Sequence, residues 1–260
     1  MALFTVTTAA CSLLLADDLK SGPTVVVVER DGQASAQDAA SETSTPPAPD
    51  DASTLDPDLV AWWRFDETSG LQSTDLTGHG HTAFLGGDAT FTQVETHANG
   101  AVLFDGGGFV DVPSLYNTAF PSTGTASIWF RWTTMVAADH IGILDRFDDS
   151  RAHLFLRHAN GDTVGVFQLA LEPGNANTYA FETGFPVPAR TWTHVVFTWD
   201  QTTSRGACYR DGVLVATAGF EIPFLPSAQI FKLGIDLHGA IDEVMLFKRA
   251  LTTAEASALP

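Results

Sequence analysis

The sequence predicts an all-β fold in which two antiparallel sheets form a jelly-roll sandwich, with a short helix after the last strand. Apolar residues come in short runs separated by Gly, Asp, Asn and Pro from Leu59 onward, which is typical of many short strands. Asp211-Gly212 and Asn160-Gly161 each stand between two such runs, and these dipeptides are strong signals for hairpins. No long helical periodicity is present, and 260 residues are enough for one sizeable domain.

The predicted elements follow one another along the chain. In the first half, strands are predicted at 59–65, 81–86, 101–104, 108–112, 125–133, 140–146 and 152–158. In the second half, strands are predicted at 163–170, 192–199, 206–210, 213–219, 230–236 and 240–247. The final segment LTTAEASAL predicts a helix, because Thr252 or Thr253 can act as N-cap and Glu255 then lies in the first turn.

Residues 1–31 contain an apolar segment, MALFTVTTAACSLLLA, that is too short to span a bilayer comfortably and lacks the positive region of a secretory signal. The motif TTAAC resembles the lipobox at which bacterial lipoprotein precursors are cleaved and the new N-terminal cysteine is acylated. Thr8 stands three positions before Cys11, where an aliphatic residue is usual. Three interpretations stay open: lipidation at Cys11, a signal peptide of another kind, and a poorly ordered N-terminus.

Residues 32–58 predict a disordered acidic linker. The segment contains no Lys or Arg and consists mainly of Ala, Ser, Thr, Pro and Asp. Such a composition cannot bury enough apolar surface to offset the entropy of ordering the chain. A flexible tether between a lipidated cysteine and a folded domain holds that domain away from the membrane surface.

From residue 59 to 258 the motifs LVAWWRFDETSG, DLTGHGH, AVLFDGGGFVDVP, TASIWFRW, TWTHVVFTWD, CYRDGVLV and GAIDEVMLFKRALTTAE follow in order. This ordered set resembles the laminin-G-like (LamG-like), concanavalin A-like jelly-roll family. The resemblance implies the fold more firmly than a function, because the family includes lectins, adhesins, accessory modules and enzymes.

The turn DLTGHGH places two histidines beside an acid. His79 and His81 lack the spacing of a zinc motif, so zinc is not expected. The resemblance implies a calcium site instead, formed by Asp75, carbonyl groups around Gly78, and Asp242 of the closing strand. The alternative is a plain turn in which the Asp75 carboxylate accepts a hydrogen bond from a nearby N–H.

A glycoside hydrolase of this fold requires two carboxylates facing one groove, and strand residues i and i+2 share a face. The acid pairs with that spacing are Glu29/Asp31 and Asp56/Asp58, and both precede the predicted domain. Asp242 and Glu243 are consecutive, so regular alternation predicts that they face opposite sides. No G-x-S-x-G motif is present, Cys208 is expected to be small apolar filling, and DGGGF is expected to be a tight turn between strands. The sequence therefore predicts no catalytic residues.

The tryptophans come in three pairs separated by odd numbers of residues, so each strand presents one indole on each face. Apolar neighbours place Trp63, Trp132 and Trp199 in the core. The opposite faces then carry Trp62, Trp129 and Trp192, with Arg64, Arg131 and His194 two positions further on. One interpretation is a stacking platform for sugar rings with adjacent hydrogen-bond donors. The other is that Arg64 and Arg131 cover the indoles through cation–π contacts, or that loops bury these faces.

The net charge of −18 disfavours nucleic acid as a partner, and no internal apolar run is long enough for a transmembrane helix. We therefore expect an exported, non-catalytic binding module of the cell envelope, located at the outer membrane, at the cell surface or in the periplasm. Its expected ligand is a glycan or a surface protein, and its only expected membrane contact is a lipid anchor at Cys11. The alternatives are a glycoside hydrolase of the same fold and a structural envelope protein.

Overall fold

The computed structural model describes residues 55–115, 123–134, 140–145, 152–159, 162–170, 179–200, 202–219 and 231–259. They all belong to one unit of the chain, residues 47–260. The predictions for residues 1–31 and Cys11, and those for linker residues 32–54, lie outside the described residues. In the ranges above, no helix has the length and hydropathy of a membrane span.

The described residues contain sixteen strands. The first eight are β1 (Leu59–Trp63), β2 (Gln72–Ser73), β3 (Ala83–Gly86), β4 (Thr90–Thr92), β5 (Ala101–Asp105), β6 (Phe109–Asp111), β7 (Thr123–Thr134) and β8 (His140–Asp145). The others are β9 (Ala152–Ala159), β10 (Asp162–Ala170), β11 (Tyr179–Pro186), β12 (Thr193–Asp200), β13 (Arg205–Arg210), β14 (Val213–Gly219), β15 (Lys232–Ile235) and β16 (His238–Phe247). A 3-10 turn at Pro113–Leu115 follows β6, and helix α1 (Thr253–Ala258) follows β16.

The strands form two antiparallel sheets, which confirms the predicted concanavalin A-like sandwich. Sheet A has the order β14-β13-β12-β7-β16-β5-β4, with β1 also paired to β16. Sheet B has the order β11-β10-β9-β8-β15-β6-β3-β2. Both predicted hairpins, β9–β10 and β13–β14, are present. In the second hairpin Asp211 and Gly212 have φ values of 50° and 75°, as a tight type I′ turn requires.

The core lies between the sheets and is built by period-two alternation. In β1, Leu59, Ala61 and Trp63 are buried while the residues between them are half-buried. Trp63, Trp132 and Trp199 are all buried, as the sequence predicts. Cys208 also lies in this core, among aliphatic and aromatic side chains. Each fully buried large apolar side chain contributes about 1.5–3 kcal/mol to folding.

A second apolar cluster covers the outer face of sheet A, where α1 packs. Its members are Leu59, Val196, Tyr209, Met245, Phe247, Leu251 and Ala256, with Leu55 packed against them. Thr252 is the N-cap of α1 and forms a capping box with Glu255, which confirms the predicted helix start. The Arg249 guanidinium pairs with Asp56 and Glu255, so folded contacts already begin in the last residues of the segment predicted as linker.

Three strands were not predicted from the sequence. β2 and β4 have two and three residues, which is too short for an alternation signal, and β11 contains glycine and ends in proline. The predicted turn DGGGF connects the two sheets, because β5 belongs to sheet A and β6 to sheet B. The Asp88 carboxylate accepts hydrogen bonds from the N–H groups of Asp105 and Gly107, which holds this crossing between the sheets.

Candidate functional site

The structure places all six predicted ligand-binding residues on sheet A. Trp129 and Arg131 alternate in β7 with Ile128 and Phe130, which are buried in the core, so they project from the outer face. The remaining four residues lie on or next to neighbouring strands: Trp62 in β1, Arg64 after it, His194 in β12 and Trp192 before it. The predicted set therefore shares one face of one sheet.

Trp129 stacks against two histidine rings. The ring centroids of His97 and Trp129 are 3.6 Å apart with an interplanar angle of 18°. The His194 ring stacks against Trp129 at 4.8 Å and 5°. His194 is buried, and burial, followed by the charge that His97 would carry, lowers its pKa to about 4. His194 is therefore neutral at physiological pH, and its Nε2 lies 2.7 Å from the Ser127 hydroxyl.

A loop covers this part of sheet A, and we call it the strap (residues 93–100). The Glu95 carboxylate accepts a hydrogen bond from Arg131 at 2.8 Å, and the Glu95 carbonyl accepts one from the Trp192 indole at 3.0 Å. The Ala98 N–H donates to the Asp242 carboxylate at 3.1 Å. The strap therefore meets three of the predicted residues, namely Trp129, Arg131 and Trp192, as well as Asp242.

Trp62 and Arg64 form a separate contact group with Glu243. The Trp62 indole N–H donates to Glu243 at 2.6 Å, and Arg64 Nε donates to the same carboxylate at 3.3 Å. The Arg64 guanidinium lies 5.9 Å from the Trp62 ring centroid. The cation–π cover interpretation therefore describes Trp62 well, while Trp129 is covered by the strap and by His194.

The prediction that Asp242 and Glu243 face opposite sides is wrong. The register between β16 and β7 shifts between Asp242 and Met245, so β16 carries one extra residue there. Glu243 has a φ of 45°, as expected for a β-bulge. The bulge breaks the alternation: Glu243 bonds to Trp62 of β1, and Asp242 pairs in register with Trp129.

The two carboxyl groups of the bulge are buried, and the pKa of each is raised. Asp242 is fully buried, and this burial raises its pKa to about 7, against the opposing effect of the Ala98 N–H bond. Burial likewise raises the pKa of Glu243, which is opposed by the Trp62 and Arg64 hydrogen bonds. Raised carboxyl pKa values occur at catalytic sites, but they also occur at structural sites that exclude water.

The turn DLTGHGH is held by Asp75. Asp75 Oδ1 accepts hydrogen bonds from the Trp62 N–H and from both the N–H and the hydroxyl of Thr77, while Oδ2 accepts from the His81 N–H. Partial burial acts to raise the pKa of Asp75, but these hydrogen bonds outweigh it and lower the pKa. Gly78 has a φ of 77°, which the turn requires. This geometry is that of the plain turn.

The two carboxylates expected to bind calcium accept hydrogen bonds from protein groups in this arrangement. Asp75 Oδ1 accepts three hydrogen bonds and Oδ2 accepts one, and Asp242 receives N–H bonds from Ala98 and Glu243. In the part of the chain that is described, no group of three or more His, Cys, Asp or Glu residues is arranged to hold a metal.

A groove of about 710 Å³ lies beside Trp192. Its polar lining includes Thr191, Thr193, Arg210 and Asp211, and the loop at 186–189 and the edge of Trp132 complete it. Arg210 donates to the Pro186 carbonyl at 2.8 Å, while its buried Nε has no hydrogen-bond partner. The Arg131 guanidinium lies 6.0 Å from the Trp192 ring centroid. The groove therefore combines an indole with charged and hydroxyl groups.

Sequence reasoning missed four residues of this region: Glu95, His97, Arg210 and Asp211. His97 is 32 positions before Trp129, and no spacing rule links a loop histidine to a strand so far along the chain. Arg210 and Asp211 belong to the predicted Asp-Gly hairpin. The Asp-Gly signal predicts a turn but does not indicate that the two residues line a groove. The strap was the least predictable part, because its position depends on tertiary contacts alone.

The fold and the site define an all-β sandwich with a covered aromatic face and an adjoining polar groove. The chain belongs to the concanavalin A-like lectin/glucanases superfamily, whose family model matches residues 104–257. A search of curated proteins finds no match to this sequence.

Solved structures share the fold at low sequence identity. Domain 4 of AbnA, a GH43 extracellular arabinanase from Geobacillus stearothermophilus in complex with arabinotriose, is 19% identical with a TM-score of 0.60, over 76% of this chain and 96% of that one. The binding domain of botulinum neurotoxin DC in complex with rat synaptotagmin II is 13% identical with a TM-score of 0.60, over 77% of this chain and 50% of that one. A structure of botulinum neurotoxin type C, which depends on two ganglioside molecules to enter cells, is 14% identical with a TM-score of 0.59. The match covers 77% of this chain and 50% of that one. This chain spans about half of those two toxin chains.

Proposed function

We propose that this domain is a non-catalytic binding module whose ligand is a glycan, bound in the groove beside Trp192. The observation that carries the proposal is the groove itself, in which a half-buried indole lies next to Arg210, Asp211 and Thr191. Its volume of about 710 Å³ lies within the usual range of small-molecule sites, about 300–1,000 Å³.

The chemistry of the groove suits a sugar ring. The indole offers an apolar face of the kind on which the C–H groups of a sugar can pack. Arg210 Nε makes no hydrogen bond, but it lies 3.5 Å from the exposed Asp211 carboxylate in an ion pair. This separation is long for a hydrogen bond, so a ligand hydroxyl that accepts from Arg210 Nε and donates to Asp211 would replace one long contact by two shorter ones.

The comparisons support a binding role over a catalytic one. The matched domain of the arabinanase was solved with arabinotriose, and the matched part of botulinum neurotoxin DC is its binding domain. A surface protein is the second candidate ligand, since one toxin domain was solved with synaptotagmin II.

A hydrolase is the second candidate function, because the bulge brings Asp242 and Glu243 out of regular alternation and their pKa values are raised. Their surroundings argue against catalysis. Asp242 is 0% and Glu243 7% exposed, and each is hydrogen-bonded to protein groups. Incubation with the glycan that binds, followed by chromatography of the products, distinguishes the functions: a binding module leaves the chain length unchanged.

The cell-envelope location is also a proposal. It rests on the lipobox-like motif at Cys11 and on the acidic linker that follows. Mass spectrometry of the intact protein from a bacterial membrane fraction tests it. Cleavage before Cys11 with an added diacylglycerol supports a lipid-anchored module, whereas an uncleaved chain argues against the anchor. If the module binds neither a glycan nor a surface protein, the remaining candidate function is a structural role in the cell envelope.

A glycan array followed by calorimetric titration tests the main proposal. Trp192→Ala is expected to weaken glycan binding by about 5- to 150-fold, if a sugar ring on the indole contributes as much as a stacked nucleic-acid base, about 1–3 kcal/mol. Phe84→Ala is the matched control, since Phe84 is an aromatic residue of sheet B that is 38% exposed and lies outside the groove. Equal binding by both variants would contradict the proposed site.

A further inference from the structure

The strap makes four contacts with sheet A that a bound sugar would also make. The His97 ring stacks on Trp129, the Glu95 carboxylate accepts from Arg131, the Glu95 carbonyl accepts from Trp192, and the Ala98 N–H donates to Asp242. Aromatic stacking, a guanidinium donor, an indole N–H donor and a carboxylate acceptor are typical elements of a saccharide site. One loop therefore satisfies a complete set of ligand-binding groups.

We propose that the face of Trp129 beneath the strap is a second, covered ligand subsite, and that a saccharide ring replaces the His97 ring there when the strap opens. This inference rests on the proposed function, because it extends the Trp192 groove by one further ring. The two positions are contiguous through the strap residues: the His97 ring lies 6.0 Å from the Trp192 ring centroid and 3.6 Å from that of Trp129.

The fit between the strap and the sheet is incomplete, which favours exchange with a ligand. Arg131 Nε and His97 Nδ1 are buried without a hydrogen-bond partner. The distance from His97 Nδ1 to Asp242 Oδ2 is 3.9 Å, which is too long for a hydrogen bond. A sugar hydroxyl in place of the imidazole can accept a hydrogen bond from Arg131 Nε, and His97 Nδ1 can pair with water once the strap opens.

The backbone of the strap also favours a closed state that can open. Glu95 has a φ of 57°, in the left-handed region that non-glycine residues rarely adopt. Its neighbour Val94 is 72% exposed, so the strap contributes little apolar burial to the fold. A loop held by a few polar contacts and one ring stack opens at a lower free energy than the core.

After opening, the freed groups would act on the ligand in defined ways. Trp129 would still be backed by the His194 ring, which keeps the indole in its present plane. Arg131 would lose the Glu95 carboxylate and donate to a ligand hydroxyl, and Asp242 would accept from another in place of the Ala98 N–H. The preferred ligand is then an uncharged oligosaccharide, because the net charge of −18 disfavours polyanionic glycans.

Hydrogen exchange at the Ala98 amide tests whether the strap opens. In the free protein this N–H is protected by its bond to Asp242. Saturation with the oligosaccharide that binds the Trp192 groove is expected to speed exchange at Ala98 at least several-fold. Unchanged or slower exchange in the saturated complex would overturn the covered subsite while leaving the Trp192 site intact.

Affinity measurements provide the second test. His97→Ala removes the competing ring and is expected to tighten binding about two- to tenfold, the equivalent of one aromatic contact. His79→Ala is the control, since His79 is an exposed histidine of the Asp75 turn. Adding Trp129→Phe, which preserves a ring in the stack, is expected to remove most of the gain. Equal affinities for the wild type and His97→Ala would overturn the inference alone, and an absence of glycan binding by all variants would overturn both proposals.

Discussion

Replacing His194 by glutamine and Asp242 by asparagine is predicted to change the pH dependence of stability in opposite directions. Both groups are buried at the same covered face. The pKa of His194 falls from an ordinary 6.5 to about 4, while the pKa of Asp242 rises from 3.8 to about 7. At 1.36 kcal/mol for each pKa unit, these shifts correspond to about 3 and about 4 kcal/mol of stability.

Whether stability rises or falls with pH depends on whether the folded or the unfolded state binds the proton more tightly. Between pH 6.5 and 4, His194 is protonated in the unfolded chain and neutral in the folded domain, so its contribution to stability is lost as the pH falls. Between pH 3.8 and 7, Asp242 is ionised in the unfolded chain and holds its proton in the folded domain, so its contribution is lost as the pH rises. In the wild type the two effects largely cancel.

The assay is urea unfolding at pH 6 and pH 5, followed by tryptophan fluorescence. His194→Gln leaves the Asp242 effect, so relative to the wild type its free energy of unfolding should rise by about 1 kcal/mol on going to pH 5. Asp242→Asn leaves the His194 effect and should fall by about the same amount. Both substitutions also lower stability at all pH values, so the comparison concerns the change with pH. If the stability of both variants changes with pH as that of the wild type does, then His194 is not held neutral and Asp242 is not held protonated in the folded domain.

Three further predictions test the fold and the turn. Gly124→Ala should destabilise the domain by about 1–3 kcal/mol, because its Cβ would overlap the Trp199 ring; an unchanged melting temperature would contradict this packing. Thr252→Ala should cost about 1 kcal/mol through loss of the capping box with Glu255, which chemical denaturation can measure, and no loss would argue against that cap. Asp75→Ala should lower the melting temperature, because it removes four hydrogen bonds. Chelation with EDTA should leave the melting temperature of the wild type unchanged. A lower melting temperature in EDTA would support the calcium hypothesis instead.

Much of the fold could be predicted because alternation and turn chemistry are local. Period two places Trp63 and Trp132 in the core, and Asp-Gly at 211–212 specifies a tight hairpin turn. The capping box of α1 is equally local, since Thr252 and Glu255 are three residues apart. These features need no knowledge of distant contacts.

The features that could not be predicted depend on departures from regular strand pairing and on distant contacts. The extra residue at Glu243 shifts the register of β16, and the sequence DEV carries no glycine or proline to mark such a bulge. The sequence also placed Trp129 on an outer face without indicating what covers it. That cover, His97, comes from a loop whose position is set by tertiary contacts with Arg131 and Asp242.

The central claim can be measured directly by nuclear magnetic resonance, because the chain contains six tryptophans and each indole N–H gives its own signal. During titration with an oligosaccharide identified on the array, we predict that the Trp192 signal shifts most, that Trp129 follows, and that the buried Trp63 and Trp199 stay in place. Saturable binding that leaves the Trp192 signal unmoved would contradict the account.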